Sequence, residues 1–91
     1  MNQLIQIRIS GKVQGVYYRK STKIKADKLG VCGTIQNLPD GDVVVIAFGV
    51  QSALDELVAW TKIGPQNARV ESIVVNKLPD NQHFEDFQII G

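Results

Sequence analysis

Pro39-Asp40-Gly41 separates two extended segments, Val31 to Leu38 and Asp42 to Phe48, and each is flanked on its far side by a stretch with helical patterning. A reversal that short joins its neighbours as an antiparallel hairpin. A hairpin lying between two helices restricts the chain to few architectures. Upstream, Leu4, Ile5, Ile7 and Ile9 with Gln6, Arg8 and Ser10 between the later ones predict a half-buried strand ending at Gly11. Arg19 to Leu29 is rich in helix formers; Ile24 and Leu29 are its expected inward anchors and Gly30 its left-handed cap. Ser52-Ala53-Leu54-Asp55 reads as a capping box, which puts Asp55 and Glu56 in the first turn of a second helix. Leu54, Leu57, Val58 and Thr61 then recur at helical spacing until Gly64-Pro65 stops them. Arg69 to Val75 predicts a strand, and Phe84 to Ile90, after the turn signals Pro79-Asp80-Asn81, a short last one. Strand, helix, strand, strand, helix, strand is the split α+β arrangement, with both helices on one face of an antiparallel sheet.

The 91 residues, 44% of them hydrophobic, suit a single domain over residues 1–91. The net charge of +1 gives no long-range attraction for polyanions, so anion binding must arise from local geometry and nucleic acid is not an expected partner. Met1 to Gln6 lacks a basic start and an apolar run, and the longest apolar stretch, Val43 to Phe48, is too short to cross a bilayer. A soluble, unprocessed protein without a membrane partner is expected. The single Cys32 agrees with a reducing compartment, so the cytoplasm is the expected location. Val43 to Phe48 also lacks polar alternation, which predicts a strand apolar on both faces, with the second face covered locally or partly open; a monomer is still expected.

Gly11-Lys12-Val13-Gln14-Gly15-Val16-Tyr17-Tyr18-Arg19 joins the first strand to the first helix and ends in a cation. A glycine-bearing loop at a helix start turns backbone N–H groups toward an oxyanion, and a guanidinium adds a fixed fork of donors. Phosphate or another small dianion suits such a loop. Nucleophile–base pairs, paired carboxylates and clustered metal ligands are scarce. His83 reads as a solvated loop residue, Cys32 and Trp60 as packing groups, and Lys20, Lys23, Lys25 and Lys28 as a solvated helix face that secondarily enriches anions near Arg19. Asn37 by itself is a turn former. Beside an anion loop, its amide has the donors and acceptor to hold a water, provided that it faces Arg19.

With these residues the chain resembles the acylphosphatase family. The resemblance is carried by Gly11 to Arg19, Ala26-Asp27-Lys28-Leu29-Gly30-Val31, Gly33-Thr34-Ile35-Gln36-Asn37, Asp40-Gly41-Asp42-Val43 and Gly64-Pro65-Gln66-Asn67-Ala68-Arg69-Val70, five blocks in family order over nearly the whole length. It implies a ferredoxin-like two-layer sandwich and hydrolysis of acyl phosphates to a carboxylate and inorganic phosphate without metal or organic cofactor. It further implies that Arg19 binds the phosphoryl group with the backbone of Gln14, Gly15, Val16, Tyr17, Tyr18 and Arg19 around it, and that Asn37 positions the attacking water. Tyr17-Tyr18 departs from the family's commoner Gly or aromatic followed by Phe, and brings a Tyr18 hydroxyl that needs a partner if buried. Thr34 and Val44 stand where an aromatic and a Glu are frequent. A non-catalytic phosphate-binding regulatory module on the same fold is the alternative reading. An RNA reader lacks support, since the sheet has no paired aromatic signature.

Overall fold

The computed structural model describes residues 2–80 and 82–91. In chain order the elements are β1 (Asn2–Lys12), α1 (Tyr18–Leu29), β2 (Cys32–Asn37), β3 (Val43–Val50), α2 (Gln51–Thr61), β4 (Arg69–Lys77) and β5 (Phe87–Ile90). The strands form one sheet in the order β4-β1-β3-β2-β5. Residues 1 and 81 lie outside the described residues, so Met1 in the leader reading and Asn81 in the expected turn are not placed.

The hairpin forms as its turn residues dictate. Leu38 N–H donates to Asp42 O at 2.8 Å, Gly41 N–H to Leu38 O at 3.1 Å, and Gly41 takes φ 99°. β2 and β3 then pair antiparallel from Asn37 opposite Val43 to Cys32 opposite Phe48. β5 joins the free edge of β2 in parallel, with Gly33 opposite Phe87, so the sheet is mixed rather than antiparallel throughout. Both helices lie on one face. Ile5, Ile7 and Ile9 of β1, Val43, Val45 and Ala47 of β3, Ile35 and Phe87 form a single buried cluster with Tyr18, Ala26, Leu54 and Leu57 of the helices.

Four expectations need correction. Gly11 does not end β1: it sits at a bulge with φ 125°, and the strand runs on to Lys12. A side chain there would meet the Arg69 backbone, which only glycine avoids. The inward stripe of α1 is Tyr18, Thr22 and Ala26, with Leu29 half-buried and packed against the core as expected, while Ile24 is exposed. The helix begins one residue earlier than its composition suggests, and Tyr18 at that start sets an i, i+4 stripe from which Ile24 is rotated away. Thr22 is tolerated inside because its hydroxyl donates to Tyr18 O, 2.7 Å. Ser52 does not cap α2. β3 runs directly into the helix, Val50 occupies the capping position without a side-chain bond, and Asp55 and Glu56 therefore fall beyond the first turn. Asp55 instead accepts from Gln51 Nε2 at 2.7 Å.

Val44, Ile46 and Phe48, on the face of β3 away from the helices, are half-buried, which matches a strand apolar on both sides. Leu4 on that face is buried outside the main core cluster, and Leu78 N–H donates to its carbonyl at 2.9 Å.

Gly33 carries the tightest backbone contact: at φ 144° an added Cβ would stand 1.8 Å from Ile46 O. Gly33→Ala is expected to destabilise the fold by roughly 3 kcal/mol or more, since dihedral strain and steric overlap with backbone act together. Equilibrium urea denaturation reads this directly, and a midpoint close to wild type would contradict the register.

Tyr18 ties the helices together. Its ring lies 5.7 Å from that of Trp60, and its buried hydroxyl donates to Thr61 O at 2.6 Å, the partner that a buried phenol requires. Burial pushes the phenol well above its ordinary value. Above about pH 10 the unfolded chain releases a proton that the folded chain retains, so the unfolded state binds fewer protons and stability falls with rising pH. Tyr18→Phe should lose about 1 kcal/mol at neutral pH and show a shallower alkaline decline. Denaturation midpoints at neutral and alkaline pH check both, and parallel declines would remove Tyr18 as the cause.

Candidate active site

The β1–α1 loop turns in two left-handed steps, Gly15 at φ 74° and Tyr17 at φ 63°. Tyr17 is the capping residue of α1 and makes no side-chain cap bond. The first backbone bond of the helix start runs from Ser21 N–H to Tyr17 O, 3.0 Å. Among the described residues, the N–H groups from Gly15 to Lys20 have no backbone carbonyl as acceptor. Free donors at a helix start, with the positive end of its dipole, make an anion site.

A cavity of about 390 Å³ opens beside this loop. Gly15, Tyr17, Tyr18 and Arg19 line it from the loop and first helical turn, Asn37 from the end of β2. Arg19 and Asn37 thus line one cavity. They come together because β2 lies alongside α1 and ends next to the loop. Among the described residues, Asn37 Oδ1 is the one buried side-chain oxygen or nitrogen without a hydrogen-bond partner. A buried acceptor without a protein partner can receive a hydrogen from a bound water. Arg19 Nη1 donates to Gly91 O at 2.8 Å, which fixes the guanidinium and leaves its other N–H groups for a ligand.

Gln14 and Val16 do not turn their side chains into the cavity. Val16 is buried in the core. Gln14 Nε2 donates to both Leu38 O and Asp42 O, each at 2.9 Å, and so braces the loop against the hairpin turn that follows Asn37. Arg8 strengthens the same turn through Asp42, 2.8 Å.

Three side chains of the cavity escaped sequence reasoning or carried only a faint signal. Lys20 lines it, whereas the other helix-one lysines do not: Lys23 donates to Phe87 O at 2.6 Å and pairs with Asp27 at 3.4 Å, and Lys25 and Lys28 border a separate groove with Ile24 and Trp60. Val13, at the foot of the loop, and Ile89, on β5, complete the wall. Ile89 is reached only through the pairing of β5 with β2, which no local pattern announces. His83 is exposed and Cys32 half-buried and unpaired, away from this cavity.

A family model described as Acylphosphatase matches residues 5–89. An acylphosphatase from Marinobacter nauticus is 48% identical over 80 residues, covering 88% of this chain and 87% of that protein. Among solved structures, an acylphosphatase from Bacillus subtilis superposes with a TM-score of 0.94 at 31% identity over 100% of both chains. One from Coxiella burnetii superposes with a TM-score of 0.93 at 32% identity, covering 98% of this chain and 93% of that one.

Proposed function

The chain belongs to the acylphosphatase family and hydrolyses acyl phosphates to a carboxylate and inorganic phosphate; on that premise we propose that Arg19 and the Gln14 to Arg19 backbone hold the phosphoryl group and that Asn37 positions the attacking water. The observation that carries these roles is the lining of one cavity by both Arg19 and Asn37, the latter with its Oδ1 buried and without a protein partner.

The chemistry suits so sparse a site. Water oxygen bonds to phosphorus while the bond from phosphorus to the acyl oxygen breaks, its electron pair leaving with the carboxylate. One proton of the water remains on the phosphate and the other passes to solvent or a phosphate oxygen. The leaving carboxylate has a conjugate-acid pKa of about 4, so it departs without a general acid. Charge in a loose phosphoryl-transfer transition state rests on the equatorial oxygens, where the loop N–H groups and the guanidinium meet it. Asn37 Oδ1 accepts from the water and orients its lone pair, supplying position rather than basicity. The same reading takes the protein as a single-domain monomer acting on small molecules in the cytoplasm, and the half-buried, unpaired Cys32 fits a reducing compartment.

The test is hydrolysis of acetyl phosphate in ¹⁸O-enriched water, with inorganic phosphate binding measured in parallel on the wild type and Arg19→Ala. Label is expected in the phosphate, and phosphate affinity is expected to fall in the variant. Label in the acetate would place attack at the acyl carbon and overturn the assignment of the water to Asn37.

A further inference from the structure

Tyr17 combines two features that its own fold does not explain. It adopts φ 63°, where a side chain bearing a Cβ costs about 1–2 kcal/mol and glycine is at ease. The residue is 77% exposed, so burial does not offset the strain, and the side chain makes no capping bond. The adjacent Tyr18 is the opposite case, buried and bonded to Thr61 O. This exposed residue nevertheless lines the cavity that Arg19 and Asn37 line, and Ile89, itself 39% exposed, lines it too.

We propose that Tyr17 is a specificity residue: its ring, with Ile89, forms an apolar wall on which the acyl group of the substrate packs, so that aromatic or bulky apolar acyl phosphates are preferred to short ones. The inference rests on the reading that Arg19 holds the phosphoryl end. A mixed anhydride has a dianionic end and an acyl end two bonds away from phosphorus. With the former on the loop donors and Arg19, the acyl end leaves the charged part of the cavity beside the apolar side chains. An exposed ring gains by covering an apolar or aromatic partner, and gains little from an acetyl group.

The experiment uses two unhydrolysable probes, ethylphosphonate and phenethylphosphonate, which share the phosphonate and differ by a ring placed where an aromatic acyl group would lie. Calorimetric affinities are measured for wild type, Tyr17→Gly, Tyr17→Phe and Arg19→Ala, with kcat/KM for acetyl and benzoyl phosphate on the first three. Wild type is expected to bind the phenethyl probe about fivefold tighter. Tyr17→Gly, which suits the backbone conformation, should reduce that preference to within about twofold, Tyr17→Phe should keep it, and the benzoyl-to-acetyl ratio of kcat/KM should move in the same sense. No preference in wild type, an unchanged preference in Tyr17→Gly, or its loss in Tyr17→Phe would overturn the wall. Arg19→Ala separates the two readings. If it weakens both probes alike, the phosphoryl assignment stands; if it binds both as wild type does, that assignment fails while the Tyr17 ratio still decides the wall.

Discussion

Arg19→Lys is expected to lower kcat/KM for acetyl phosphate by about 10²- to 10³-fold, and Arg19→Ala by at least as much. Arg19 is set at the second position of α1, and its Nη1 is already committed to Gly91 O at 2.8 Å. That bond tethers one nitrogen of the guanidinium, and a planar fork so held has its remaining N–H groups available to an oxyanion with little reorganisation. Lysine keeps the charge but cannot both reach Gly91 and present a planar fork, because its three donors share one nitrogen. The loss should fall mainly on kcat, since the contacts that matter are those strengthening as charge develops on the equatorial oxygens. Steady-state kinetics with a denaturation midpoint for each variant tests this. Near-normal turnover in a folded Arg19→Lys would count directly against the role.

The fold was largely legible because its punctuation is local. Pro39-Asp40-Gly41 specifies a hairpin from its own dihedral preferences, and Gly30 ends α1 at φ 71° for the same reason. What misled was information held between elements. Ile24 has the size and apolarity of a core residue, but the rotation of α1 is set by Tyr18 packing against Trp60, a contact 42 residues away in sequence that no helical pattern discloses. Ser52 has the chemistry of a cap, yet the helix starts where the β3 pairing with Asn2 and Gln3 ends, at Val50. The site divides in the same way. Arg19 and Asn37 stand out in the ordered family blocks, Arg19 in the first turn of α1 and Asn37 at the end of β2 before the hairpin turn, both places that local signals mark. Ile89 and Gly91 do not, because both reach the site by the parallel pairing of β5 beside β2, a long-range register decided by Phe87 entering the core. Gln14 lies in the β1–α1 loop, but its amide turns to the hairpin because two carbonyls there lie within its reach.

Asn37→Ala is expected to lower kcat by about 10²-fold while changing the affinity for inorganic phosphate by no more than about threefold. The contrast follows from where the residue stands. Asn37 closes β2, paired with Val43, and its neighbour Leu38 is held by Gln14, so the residue lines the cavity from a braced position. Its Oδ1 is buried without a protein partner, whereas the N–H groups proposed to hold phosphate belong to a different element, the loop before α1. Removing the amide therefore leaves the anion loop intact and deprives the water of its acceptor. A misplacement of about 1 Å in a reacting atom is sufficient for a loss of that size. The same substitution removes an unpaired buried oxygen, so the folded state should not be weakened by a lost bond, and an unfolding midpoint within about 1 kcal/mol of wild type separates misplaced water from a damaged hairpin. Asn37→Asp sharpens the test. It keeps an acceptor at nearly the same place but brings a negative charge toward a dianion, so phosphate affinity should fall in that variant and not in Asn37→Ala. Equal loss of phosphate binding in both would assign Asn37 to the anion site instead of to the water.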